Sequence, residues 1–153
     1  QAADIARSAT VSASTVITAV TGTDAASIEI SPAGVAVIAP DPDGVLQHCN
    51  HFLDKDLAVG ERHATERPGT YDRLRHLRDH VEELSVDDLN ARALAMLGHA
   101  PVDAPVCAHP DLTQPLNQRW ETLATIGLDL PAGRLRVHQG GPCQVTEATW
   151  QTF

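Results

Sequence analysis

Between Ser12 and Ala39 the chain reads SASTVITAVTGTDAASIEISPAGVAVIA, and this stretch decides the fold class. Residues 12–20 and 26–31 are runs rich in β-branched side chains, parted by Thr21-Gly22-Thr23-Asp24, a turn composition. A third run, 35–39, follows Pro32-Ala33-Gly34. Three short strands in a meander are the expected structure. Upstream, residues 3–9 suit the end of a helix, and downstream Asp41-Pro42-Asp43-Gly44 turns the chain toward a fourth extended run, 45–48. The period then changes. Leu74, Leu77, Val81 and Leu84 recur at steps of three and four, with charged residues largely outside that face, which predicts one amphipathic helix over 70–84. Ser85-Val86-Asp87-Asp88 reads as a capping box, Ser85 at the N-cap and Asp88 in the reciprocal position. It opens a second helix through Leu89, Ala93 and Leu97 to a stop at Gly98. A proline-rich loop, 101–115, leads to a strand over 122–130, a Pro131-Ala132-Gly133 turn and a second strand over 134–138, which together predict a hairpin. Strands, helices and strands segregate in blocks, so the predicted class is α+β with a mainly antiparallel sheet rather than a doubly wound parallel one.

The 153 residues, 42% hydrophobic and 20% charged, are about one ordinary domain's length. That excludes a disordered tail, a collagen-like repeat and a disulfide miniprotein. A formal charge of -9 argues against a nucleic-acid groove or an anionic membrane surface as partner. Aromatic residues are 3% of the chain, too few for a base-stacking platform. Cys49, Cys107 and Cys143 are odd in number, widely spaced and without a CxxC, which reads as reduced intracellular thiols and a cytoplasmic location. No apolar run reaches the roughly 20 residues that span a bilayer. A start at Gln1, without an initiator Met or a signal pattern, suggests a processed or incomplete chain. Lys55 is the only lysine among eleven basic residues, which reads as the codon bias of a GC-rich bacterium.

The most unusual local string is Gln47-His48-Cys49-Asn50-His51-Phe52, polar side chains crowded where a strand enters a loop. Such loops can point functional groups into a cleft, although Asn and His also serve loop backbones as local hydrogen-bond partners. A zinc reading pairs His48 and His51 with Cys107 and His109, but neither pair has the usual ligand spacing. A nucleophile elbow, a phosphate loop and a His-Glu-x-x-His motif are all absent from the sequence. The thiols are therefore the nucleophile candidates, Cys49 first because of its histidine neighbours. Adjacent residues on an extended strand point to opposite faces, which disfavours proton transfer between His48 and Cys49. A small buried thiol is the simpler reading of Cys49 and of Cys143.

At residues 48–52 the string resembles the His-Thr-Asn-His-Phe motif of the isopenicillin-N acyltransferase family, the acyl-coenzyme A:6-aminopenicillanic acid acyltransferases and related amidohydrolases. Ser27-Ile28-Glu29, Gly34-Val35-Ala36-Val37 and Asp43-Gly44 precede the motif in the family's order. Tyr71-Asp72-Arg73-Leu74-Arg75, His109-Pro110-Asp111, the 124–130 run and Gly140-Gly141-Pro142-Cys143 follow it. The resemblance implies an N-terminal-nucleophile hydrolase, an αββα sandwich whose precursor cuts itself before a cysteine and uses that residue's own amine as base. It implies an acyl-thioester intermediate, passed to water or an amine, on an amide-bonded small molecule or peptide, with an acyl-coenzyme A donor among the allowed acyl sources. Carried over, the oxyanion donor is Asn50, with His48, His51 and Phe52 as loop or pocket support and Arg119 or Thr122 as a further pocket residue. Neither a metal nor a cofactor is required.

The family's self-cleavage site is Gly-Cys, whereas His48, Val106 and Pro142 precede the three cysteines here. The nucleophile is therefore expected on an upstream segment or a companion chain, as in an autoproteolytic heterodimer. Residues 1–153 would then be a single domain portion, its C-terminal part, serving bacterial secondary metabolism such as antibiotic biosynthesis. Two other readings are a non-catalytic binding or scaffold subunit of the same fold and a His/Cys metal-binding domain.

Overall fold

The structure, a computed structural model of the chain, describes residues 1–99 and 106–153. Residues 100–105, the start of the expected proline-rich loop, lie outside the described residues. The fold is α+β and divides into two units, Gln1–Tyr71 and Asp72–Phe153. Each carries a three-stranded antiparallel sheet.

The first unit opens with α1 (Ala2–Ser8) and continues into the expected meander, β1 (Thr15–Val20), β2 (Ala25–Ser31) and β3 (Gly34–Ile38). Turn chemistry sets the register. The Thr21 N–H donates to the Asp24 carbonyl at 2.7 Å while Thr21 Oγ1 accepts from the Asp24 N–H at 3.0 Å, closing the first hairpin. Ile17, Ile28 and Val37 consequently lie in one cross-strand row, and Val16, Glu29 and Ala36 in the next, on the opposite face. As the central strand, β2 is buried from Ser27 to Ser31 on both faces.

The Asp41 turn forms as expected. Asp41 Oδ1 accepts from the Asp43 and Val45 N–H groups at 3.0 and 2.8 Å, and Gly44 takes the positive φ of +81° that the turn requires. Residues 45–48, however, are not the fourth strand that the sequence suggests. Side-chain acceptors hold the loop that follows, in place of a ladder, and the run itself is short and ends in polar residues. A short helix, α2 (His63–Glu66), comes next.

The helix expected over 70–84 is two helices, α3 (Gly69–Asp79) and α4 (Val81–Leu84). The break is at His80, with φ -116° and ψ 26°. Its ring Nδ1 donates to the His76 carbonyl at 2.8 Å, a side-chain bond to the carbonyl that a continuing helix reserves for backbone N–H. Among the described residues of the second unit, Leu74 of α3 is buried, as are Ala93, Cys107, Ala108 and Val145. The capping box is also different. Asp88, not Ser85, is the N-cap of α5 (Leu89–Ala95), and its carboxylate accepts from the Ala91 N–H at 2.7 Å. Ser85 closes α4, its hydroxyl donating to the Val81 carbonyl at 2.6 Å.

The expected hairpin is β4 (Ala124–Asp129) and β5 (Arg134–Gln139), with Ile126 opposite Val137 and Leu128 opposite Leu135. A two-residue strand, β6 (Gln151–Thr152), adds to β5 and is too short to show a period in the sequence. Among the described residues no helix is long and apolar enough to cross a membrane.

The cap assignment separates two variants. Asp88→Ala should lower stability by about 1 kcal/mol, the usual cost of a lost N-cap, and Ser85→Ala by a few tenths. Urea denaturation of both measures the difference, and the reverse order would restore Ser85 as the cap.

Candidate functional site

The loop that carries residues 47–52 is organised by a side chain from the sheet beneath it. Glu29 is 0% exposed, at the centre of β2. Its Oε1 accepts from the Leu53 N–H at 2.6 Å and lies 2.7 Å from His48 Nε2, and its Oε2 accepts from the Asp54 N–H at 3.0 Å. The other ring nitrogen of His48, Nδ1, faces the Cys49 carbonyl at 2.6 Å, and a carbonyl only accepts. Both ring nitrogens thus face oxygen atoms, one in the loop and one in the strand beneath it. The result is a buried carboxyl group whose oxygens are taken up by the loop, through two backbone N–H groups and the His48 ring.

A second anchor is Thr70, 2% exposed. Its hydroxyl accepts from the Asn50 N–H at 2.9 Å and turns its own proton toward His51 Nδ1 at 2.9 Å. His51, 5% exposed, packs its ring on Tyr71 at a centroid distance of 4.1 Å. Burial holds His51 below its ordinary value of 6.5, with the charge on His48 in the same direction and the carboxylates of Glu61 and Glu29 opposing. Phe52 is half-buried, its N–H donating to Glu61 Oε1 at 3.2 Å. Within residues 47–52 Asn50 alone is exposed. Cys49 is half-buried in the same loop.

The two pocket residues named for the second unit have local partners. The Arg119 guanidinium donates to the carbonyls of Gln114 and Leu112 at 2.8 and 2.9 Å, clasping its own loop. Thr122 is tied to Ala108 twice: its Oγ1 accepts from the Ala108 N–H at 3.0 Å, and its own N–H donates to the Ala108 carbonyl at 3.0 Å.

Those two bonds fix the backbone between Cys107 and His109, and here the structure brings together what the sequence scatters. His99, Cys107, His109 and Cys143 each offer one ligand atom, and the four lie within 4.8 Å of one another. His109 Nε2 is 3.3 Å from His99 Nε2, 3.4 Å from Cys143 Sγ and 3.6 Å from Cys107 Sγ. Cys107 is 1% exposed. Its sulfur fits because residue 141 is glycine, where a Cβ would stand 2.5 Å from it. Gly140, at φ +108°, turns the chain out of β5, and Pro142 opens the short 3-10 turn that presents Cys143. The sequence reading coupled Cys107 and His109 to His48 and His51. Those two histidines instead bond Glu29 and Thr70, and the Cys-x-His pair meets His99 and Cys143 of its own unit. The Gly-Gly-Pro-Cys turn was the available signal, weak because Cys143 lies far from the other three along the chain.

The chain matches no protein-family model and no curated protein sequence.

Glu29→Gln keeps the shape but turns one of the two acceptor oxygens into an NH2 donor, so the buried backbone N–H of Leu53 or Asp54 loses its acceptor. The expected loss is about 1–3 kcal/mol by urea denaturation; a cost under about 0.5 kcal/mol would remove Glu29 from its organising role. For His51 the fold favours the neutral ring. As pH falls below 6.5 the unfolded chain takes up a proton there that the folded chain resists, so stability falls and then levels once the folded ring also titrates. Between pH 8 and 5 the wild type should therefore lose more stability than His51→Gln. Equal slopes would contradict this.

Proposed function

We propose that the chain supplies the C-terminal part of a cysteine-type N-terminal-nucleophile hydrolase, an amide acyltransferase or amidohydrolase working through an acyl-thioester. The nucleophile belongs to an upstream segment or companion chain that begins with Cys. One observation carries the reading: the motif loop is anchored from beneath by Glu29 and Thr70, and the residue it leaves exposed is Asn50.

In this reading the thiolate attacks the substrate carbonyl and a C–S bond forms. The free amine of the same cysteine relays the thiol proton to the departing amine as the amide C–N bond breaks. The Asn50 side-chain amide donates to the oxyanion while it exists, and a donor of this kind acts best when it has no reorganisation left to do. The thioester then passes its acyl group to water or to an acceptor amine, which regenerates the thiol. His48 and His51 act as positioning residues through Glu29 and Thr70, and Phe52 helps seat the loop. Arg119 and Thr122 support loops of the second unit.

Each sheet, taken by itself, keeps part of an apolar face uncovered, Ile17 and Val37 on one and Ile126 and Leu128 on the other. Such faces suit an αββα sandwich in which further strands and a facing layer cover them. An amide-bonded small molecule or peptide is the substrate class, with an acyl-coenzyme A as one acyl source, and the setting is bacterial cytoplasmic metabolism, away from nucleic acid and membrane.

Intact-mass analysis of the active protein should find a polypeptide with an N-terminal cysteine, and an active preparation without one would overturn the reading. In that protein Asn50→Ala should slow acyl-enzyme formation about 10²-fold or more while melting behaviour stays that of the wild type. Unchanged turnover would remove Asn50 from the oxyanion site.

A further inference from the structure

We infer that His99, Cys107, His109 and Cys143 form a closed, four-coordinate Zn2+ site that staples the second unit. The inference stands on these four residues alone and is independent of the acyl-transfer reading.

Geometry comes first. A tetrahedron built with Zn–S near 2.3 Å and Zn–N near 2.05 Å has edges of roughly 3.3 to 3.8 Å, shortest between two nitrogens. The His99–His109 nitrogen pair is 3.3 Å apart, and the two measured sulfur–nitrogen edges are 3.4 and 3.6 Å. All four atoms lie within 4.8 Å of one another, so the widest pair has at most about 1 Å to close for one ion to take every ligand. Hydrogen bonding among the four groups explains the cluster poorly. His109 Nε2 faces another ring nitrogen and two sulfurs, and a single N–H there serves one of them well.

The surroundings are built for the cluster. Gly141 leaves room for the Cys107 sulfur where any side chain would collide with it. The paired Thr122–Ala108 bonds hold the Cys-x-His backbone, and the Gly140 N–H donates to the Leu123 carbonyl at 2.9 Å, tying the Cys143 turn to the segment leading into β4. Such supports orient a first ring of ligands. Two imidazoles and two thiols form a borderline-soft donor set that prefers Zn2+ over Mg2+ or Ca2+, and tetrahedral N2S2 geometry suits a d10 ion. On binding, both thiols lose their protons to solvent, and two thiolates neutralise the ion, which suits a site where Cys107 is buried. All four positions are filled by protein, so the role is structural rather than catalytic. The ion joins the segment after α5, the 106–109 loop and the turn after β5.

The test uses the 153-residue chain purified under reducing conditions without chelator. Elemental analysis should find about one zinc per chain. Replacement with Co2+ should give the intense visible bands of tetrahedral, thiolate-ligated cobalt. Cys143→Ser and His99→Ala should weaken zinc binding at least about 100-fold in competition with a chromophoric chelator, while Cys49→Ser leaves it unchanged. Should a variant fail to fold, the wild-type titration decides alone: affinity weaker than about 10⁻⁶ M overturns the site. Folded, reduced protein that carries no zinc and gives no tetrahedral cobalt spectrum also overturns it. A mass two hydrogens lighter, mapping to a Cys107–Cys143 disulfide in protein isolated without reductant and zinc-free, does the same.

Discussion

A carboxylate with no exposed surface must be matched by donors on every side, and the first unit is arranged around that demand at Glu29. Position 29 lies at the centre of the middle strand, where both edges are already paired. Its side chain therefore finds partners above the sheet, in the loop. Taking the His48 ring and the Leu53 and Asp54 N–H groups fixes two points of that loop. Between them Thr70 holds the Asn50 N–H and the His51 ring, and Asn50 is left on the surface. The exposed asparagine is thus a consequence of a buried glutamate 21 positions earlier.

The second unit meets a different constraint with similar means. Its buried apolar side chains among the described residues are few, Leu74, Ala93, Ala108 and Val145 with Cys107, and the β4–β5 hairpin leaves Ile126 and Leu128 largely uncovered. A core of that size leaves the long loops short of apolar partners. Two of its histidines and both of its cysteines converge where three of those segments meet, and the close fit of Gly141 against Cys107 shows how tightly the backbone is drawn in at that point. Both units use polar side chains to position loops that apolar packing alone leaves undetermined.

What was readable in the sequence was local. The meander and the hairpin follow from β-branched runs punctuated by Thr21-Gly22-Thr23-Asp24, Pro32-Ala33-Gly34 and Pro131-Ala132-Gly133, and their boundaries hold to within a few residues. Sequence pattern and structure part where two local signals compete. His80 has a helical neighbour pattern, but its ring takes the carbonyl that helix continuation needs. Ser85 and Asp88 are both good caps, and the choice depends on where the preceding helix stops. Glu29 was harder. In a strand reading Ser27-Ile28-Glu29-Ile30-Ser31, alternation assigns the glutamate to solvent, and only the loop folded over that face buries it.

The sequence by itself therefore determined the α+β class, the antiparallel hairpins and the His48–Phe52 string as the place where chemistry-bearing residues crowd, because turn propensity and side-chain period act over a few residues. Tertiary structure alone decided which of those residues faces outward and which histidines and cysteines meet. Asn50 is exposed because Glu29 and Thr70 hold its neighbours, and Cys143 joins His99, Cys107 and His109 because the β4–β5 pairing returns the chain to their side. Both outcomes depend on contacts between residues far apart in the chain, and the spacing of residue types carries no record of them.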